Sequence, residues 1–253
     1  VAVKAMRAGF LVLCEKPMAL NHELAREMCR TALATDRTLM VGHVNRFMDD
    51  RRAIRDLCRS GELGRVRSAE FYREGGSREP MGYHNWFRDG KLSGGAMLDL
   101  HIHDVDLIVW LFGLPQAVSA AAATVIPGSG YDAMSVNYFY GDRTFVHAGC
   151  DWTIRHDTFN TRAMRVNFER GYVFCDRSPG RQAFVKVAED GTVTDLAGLL
   201  GSDFFYNEIR YYATCVAEGR EVADCPPEQS AEAVRLVMAE MASADRNGAR
   251  IEL

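Results

Sequence analysis

Ala8-Gly9-Phe10-Leu11-Val12-Leu13-Cys14-Glu15-Lys16-Pro17 sets a short apolar run behind a glycine and ends it on charge. Val1 to Ala8 is helix-compatible and closed by Gly9, so Phe10 to Cys14 reads as a buried parallel strand entered from a helix. Asn21 offers an N-cap, and Leu24, Ala25, Met28, Cys29 and Ala32 recur at helical spacing as far as the Asp36-Arg37 turn. A second apolar run, Leu39 to Val41, follows. Strand, helix, strand in that order is a βαβ crossover. Open α/β sheets collect ligands at the carboxyl ends of their strands. Here those ends are Glu15-Lys16-Pro17 and Gly42-His43-Val44-Asn45-Arg46-Phe47, and they face the same rim.

Downstream the pattern changes. Asp49 to Ser60 reads as a mixed-charge helix ending at Gly61, and Val66 to Tyr72 alternates like a half-exposed strand. Glu74 to Ser93 has no period, whereas Ala96 to Phe112 is apolar nearly all round and reads as a buried helix stopped by Gly113 and Pro115. Ser119 to Ile126, Ser135 to Tyr140, Thr144 to Cys150, Ala163 to Phe168 and Tyr172 to Cys175 suit an antiparallel sheet. Two helical stripes close the chain, Phe205, Ile209, Tyr212 and Val216 after Asp203, then Val234, Val237, Met238 and Met241 after Pro226-Pro227.

The composition excludes several classes of function. The 253 residues are 47% hydrophobic and 25% charged, enough for a substantial core, and a net charge of -4 with scattered Lys and Arg offers no footprint for nucleic acid. No apolar run reaches the roughly 18 residues that span a bilayer. The seven cysteines form no C-x-x-C pair, which suits reduced thiols and a cytoplasmic location. The first residues have no initiating Met and no signal-peptide order, and look cut rather than begun.

Gly94-Gly95-Ala96-Met97-Leu98-Asp99-Leu100-His101-Ile102-His103-Asp104-Val105-Asp106 carries the most unusual chemistry, because it puts ionisable groups into a segment apolar enough for the core. On a helix Asp99 and His103 are i and i+4 on one face, with Asp106 a turn beyond, which suits a carboxylate that orients substrate beside an imidazole that takes a proton. Extended, the same segment would instead align Asp99, His101 and His103 as metal ligands for a lyase or hydrolase. A helix separates His101 from the other two by about 160 to 200°. His101 and His103 can also be satisfied core or interface histidines. Lys16, aimed by Pro17, can stabilise alkoxide-like charge or be a solvated lysine, and Arg46 suits an ion pair or packing role as well as a ligand one. Arg78, Tyr83, His84, Trp86 and Arg88, with Trp152, Arg155 and His156, can furnish hydrogen bonds and stacking for a polyol.

Together these residues resemble the glucose-fructose oxidoreductase and inositol dehydrogenase family (Gfo/Idh/MocA). Three motifs in order carry the likeness: Ala8 to Pro17, Gly42 to Phe47 and Gly94 to Asp106. Ser60-Gly61-Glu62-Leu63-Gly64 and Ile209-Arg210-Tyr211-Tyr212 look like family features as well. The resemblance implies α/β plus α+β organisation. Residues 1–46 would be the C-terminal remnant of a Rossmann domain, and residues 47–253 an α/β domain with an open, mainly antiparallel sheet that mediates homo-oligomer formation. It implies NAD or NADP as cofactor, near Glu15, Lys16, Pro17 and Arg46, and a sugar, cyclitol or related polyol as substrate. Lys16, Asp99 and His103 would be catalytic, with His103 the proton acceptor, and Trp86, His101 and Arg155 would add substrate contacts. His101 departs from the family's commoner Gly. No G-x-G-x-x-G follows an N-terminal strand, so the expectation is a fragment that binds NAD(P) poorly and exposes a strand edge. A cofactor-free ligand-binding or dimerisation module is the other reading.

Overall fold

The computed structural model describes residues 1–76, 83–141, 144–154, 156 and 158–253. The chain opens with helix α1 (Ala2–Arg7), strand β1 (Val12–Glu15), helix α2 (His22–Thr35) and strand β2 (Leu39–Gly42). β1 and β2 pair in parallel, Val12 against Leu39 through Glu15 against Gly42. The Asn21 side chain accepts from the Leu24 N–H at 3.0 Å and starts α2, and Asp36 ends it in the left-handed region. The first strand begins later than its apolar run: pairing starts with the Val12 N–H on the Thr38 carbonyl. Phe10 and Leu11 stay outside it, 64% and 42% exposed.

After a 3-10 turn at Val44–Phe47 come α3 (Asp49–Ser60), ended by Gly61 at φ 69°, and β3 (Val66–Glu74). The stretch before Ser93, expected to be irregular, holds 3-10 turns within Tyr83–Arg88, broken at His84 and Asn85 in the left-handed region, and a short helix α4 (Gly90–Ser93). The expected buried helix is present, but its first turn, Met97–His101, is a π-helix, with the Ile102 N–H reaching back to the Met97 carbonyl before α5 (Ile102–Phe112).

Strands β4 (Ala117–Ala123), β5 (Ala133–Phe139), β6 (Phe145–Asp151), β7 (Arg162–Phe168), β8 (Gly171–Asp176), β9 (Ala183–Ala188) and β10 (Val193–Asp195) follow. Helices α6 (Phe204–Glu218) and α7 (Pro227–Ala244) and the two-residue β11 (Ile251–Glu252) end the chain. β4 stops before the expected Ile126, because the Val125 and Ile126 N–H groups turn to the Asp132 carboxylate, each at 2.7 Å. The nine strands order as β10-β9-β8-β7-β3-β6-β5-β4-β11. All pairs are antiparallel except β3 with β6, which interleaves the early strand among the later ones.

α7 joins the two sheets, packing on α2 and β2 on one side and on α5 and β4 on the other. One apolar core runs from Met6 and Val41 through Ile108 and Val237 to Val146 and Phe184. The α6 stripe does the reverse of what amphipathicity suggests: Phe205 and Ile209 are 55% and 57% exposed, while Glu208 and Cys215 are buried. Among the described residues no helix is long and apolar enough to cross a membrane.

Candidate active site

The carboxyl ends of β1 and β2 and the π-turn meet in a cavity of about 360 Å³ lined by Glu15, Lys16, Gly42, Asn45, Arg73, Asp99, His103, Arg162, Phe204 and Phe205, among others. Lys16 sits at a cis peptide bond to Pro17. Its Nζ donates to the Asp99 Oδ1 at 2.8 Å and to the Asp99 carbonyl at 2.7 Å, so ammonium and carboxylate form a half-buried pair at the cavity wall. His103 lies on the next turn. Its Nδ1 is buried without a partner, and its backbone carbonyl accepts from Asn45 Nδ2 at 3.4 Å. Burial, reinforced by the charges of Arg73 and Lys16, holds the His103 pKa well below the ordinary 6.5. The imidazole is therefore neutral at neutral pH and free to accept a proton.

The other ionisable groups of this segment each answer a partner elsewhere. Asp104 takes a bidentate grip from Arg73 on β3, Nε to Oδ2 at 2.9 Å and Nη2 to Oδ1 at 2.6 Å. Asp106, placed by helical spacing one turn beyond the pair, faces the interior and binds Arg46 at 2.9 and 2.7 Å. Arg46 is fully buried and also donates to Gln229 and the Asp224 carbonyl, so it serves as a buried tie and does not line the cavity. His101 points the opposite way, as the helical angle implies. It is fully buried, with Nε2 3.2 Å from both the Tyr138 hydroxyl and Glu240 Oε2. Burial is the largest single influence and would lower its pKa, but Glu240 and Cys150 together outweigh burial and raise it. His101 thus contacts the core and not a ligand, and Asp99, His101 and His103 do not converge; among the described residues no group of three such side chains could hold a metal ion.

Trp86 lies against Phe87 and is absent from the cavity wall. Arg155 and Arg78 fall outside the described residues. Pro17 adjoins the site through its peptide bond, and Glu15 lines it directly. Sequence reasoning missed Arg73, Arg162 and Glu208, and placed Asn45 at the rim only as part of Gly42 to Phe47. For Arg73 a signal existed: the alternation that turns Ala69 and Phe71 inward puts Arg73 on the same inner face. A Cβ on Gly42 would stand 3.6 Å from carboxyl oxygens of both Glu15 and Glu208, which brings two acids to one spot from β1 and α6. Burial, then the Glu15 charge, pushes the Glu208 pKa up to about 7. A larger hollow of about 560 Å³ between α2 and the 219–228 loop contains no comparable acid-base arrangement.

Comparison with known proteins matches this layout. Residues 1–43 fit the model of the oxidoreductase family with an NAD-binding Rossmann fold, and residues 51–174 fit the GFO/IDH/MocA C-terminal domain. Inositol 2-dehydrogenase of Rhizobium meliloti is 27% identical over 230 residues, which cover 86% of this chain and 66% of that protein, just under two thirds. The aldose-aldose oxidoreductase of Caulobacter crescentus, solved with glycerol, superposes with a TM-score of 0.87 at 23% identity, covering 100% of this chain and 75% of the other. Levoglucosan dehydrogenase, solved with NADH and levoglucosan, superposes at 0.86 with 17% identity and coverages of 99% and 75%. At those identities the superpositions speak for the fold. A parallel β1-α2-β2 unit that fits one family model, followed by a mixed nine-stranded sheet that fits the other, makes this chain a member of the Gfo/Idh/MocA oxidoreductase family.

Proposed function

We propose that this protein transfers a hydride between a nicotinamide cofactor and a secondary hydroxyl of a sugar, cyclitol or related polyol, with residues 1–46 on the cofactor side and 47–253 on the substrate side. The observation that carries the reading is the meeting of a fixed ammonium and a neutral, part-buried imidazole in one cavity at the strand ends. The names of the inositol and levoglucosan dehydrogenases agree with it. The residues fit the nicotinamide end of NAD or NADP. Glu15 has no side-chain partner among the described residues, and Glu208 Oε1 is buried without a donor, so a carboxamide N–H2 finds acceptors there. Bound NAD(P)+ supplies the hydride acceptor.

The chain's own residues do the rest. Lys16, held by Asp99, donates a hydrogen bond to the reacting hydroxyl and stabilises the charge that grows on its oxygen. With hydrogen on Nδ1, His103 accepts the hydroxyl proton on Nε2, and its depressed pKa keeps that lone pair available. Phe204 and Phe205 offer an apolar wall to the C–H face of a ring. The reading includes self-association through the outward face of the nine-stranded sheet, in the cytoplasm.

The test is NAD(P)+ reduction by the full gene product across a polyol panel. His103→Gln should lower kcat by about 10²- to 10⁴-fold, and the acid limb of kcat/KM should lie below the free-imidazole pKa. Turnover of no polyol with either cofactor, or an unchanged rate in His103→Gln, would overturn the reading.

A further inference from the structure

Arg162 is the first residue of β7 and stands opposite Arg73 of β3 in the sheet register. Its backbone is anchored: the N–H donates to Ser178 Oγ at 3.0 Å and the carbonyl accepts from Arg177 at 2.8 Å. The neighbouring arginines are both spoken for, Arg73 by Asp104 and Arg177 by Asp50 Oδ2 at 2.9 Å and the Leu200 carbonyl at 2.8 Å. The Arg162 guanidinium, in contrast, has no hydrogen-bond or ion-pair partner among the described residues, although it lines the cavity with Lys16 and His103. Arg162 is exposed; partial desolvation against the cavity and the like charge of Arg73, opposed by Asp104, lower its pKa, so an anion brought beside it relieves a repulsion already present.

Each of the other cations of the cavity has its own counterion. Lys16 is neutralised by Asp99 and Arg73 by Asp104, and His103 is neutral. Glu15 gathers with Glu208 at Gly42, at the strand ends, and forms no ion pair with Arg162. One cation without a counterion remains on the substrate side. A planar guanidinium with free donors matches a carboxylate two bonds to two. A phosphate dianion would need a second free cation, and the described wall has none.

We infer that Arg162 selects a substrate that carries a carboxylate beside its hydroxyls, a sugar acid in preference to a neutral sugar. This rests on the cavity being the polyol site, and deepens that reading by naming the substrate class and the residue that reads it. Arg162 binds the carboxylate while Lys16 and His103 handle a hydroxyl of the same molecule.

The experiment compares kcat/KM for D-glucuronate with D-glucose, D-galacturonate with D-galactose and D-gluconate with D-glucitol, using wild type, Arg162→Gln and Arg162→Lys. In at least one pair the wild type should prefer the acid. Arg162→Gln should cut the acid-to-neutral ratio on the order of 10- to 100-fold, chiefly through KM, and Arg162→Lys should restore part of it. A preference for the neutral member of every pair, or an equal loss on acid and neutral, overturns the inference. If no member is turned over, hydride transfer is what fails, and calorimetric titration of the same probes decides this inference alone. Tighter binding of an acid that Arg162→Gln abolishes supports it; equal binding of acid and neutral probes sinks it.

Discussion

Glu208 shows what position does to a single carboxyl. It sits on a helix that turns Phe205 and Ile209 outward, yet it is 4% exposed, with one oxygen lacking a donor and Glu15 close by. The folded chain holds that proton up to about pH 7, whereas an unconstrained glutamate releases it near 4.5. The native state thus binds the extra proton, and stability falls as pH rises between the two values. Glu208→Gln keeps the shape and cannot ionise. Its unfolding free energy in urea should be close to wild type near about pH 5 and exceed it at about pH 8 by about 2 to 3 kcal/mol; equal values at both would refute the assignment. Nothing in the local sequence announces this residue, because its burial depends on β1 and β2 lying beneath it. Asp99 and His103 were legible from their spacing, and so was the divergence of His101, whose actual partners, Tyr138 and Glu240, come from distant elements.

At the level of elements, the segment from Ala96 to Phe112 explains its own odd composition. Its charges pin the helix in three directions: Asp99 to the loop after β1, Asp104 to β3, and Asp106 to the turn after β2. Arg46 and Asp106 are both fully buried. Removing one partner strands a charge, so Arg46→Met should cost about 3 to 5 kcal/mol in denaturant unfolding, and Arg46→Met with Asp106→Leu should cost less than that single change. A double variant as unstable as the single would argue that packing, not the charge, sets the cost. The periods of the apolar residues predicted α2 and α7, since each buries most of the stripe its sequence presents, while α3, expected as a mixed-charge helix, buries Asp50 and Arg51 beside Ile54. The periods could not predict the π-turn, within which the Asp99 carbonyl accepts from Lys16, nor which side of α6 faces in.

For the whole molecule, the inner face of the nine-stranded sheet is covered by α5 and α7, and the outer face carries a row across four strands in which a tyrosine on β3 is followed by small residues on β6, β5 and β4. In that row Tyr72 lays its ring over Gly149, 3.3 Å from where a Cβ would be, followed by the exposed Ser135 and Ala121. A flat face of this kind suits a second copy of the same sheet. Sedimentation equilibrium should therefore give a multiple of the 28.3 kDa chain mass, reduced to one chain by Ser135→Glu; a monomeric wild type would end that part of the proposal. By itself the sequence determined the βαβ start, the buried helix, most of the sheet strands and the shared face of Asp99 and His103, because periodicity acts over a few residues, whereas the role of Lys16 beside them came from the family resemblance. Only the tertiary structure decided that β3 pairs in parallel with β6, that Arg46 faces inward, that His101 meets Tyr138 and Glu240, that Glu208 is buried, and that Arg162 is left without a counterion among the described residues. Those outcomes depend on which remote groups arrive alongside, and a charge's partner is settled in space by desolvation and Coulomb attraction, not by its neighbours along the chain.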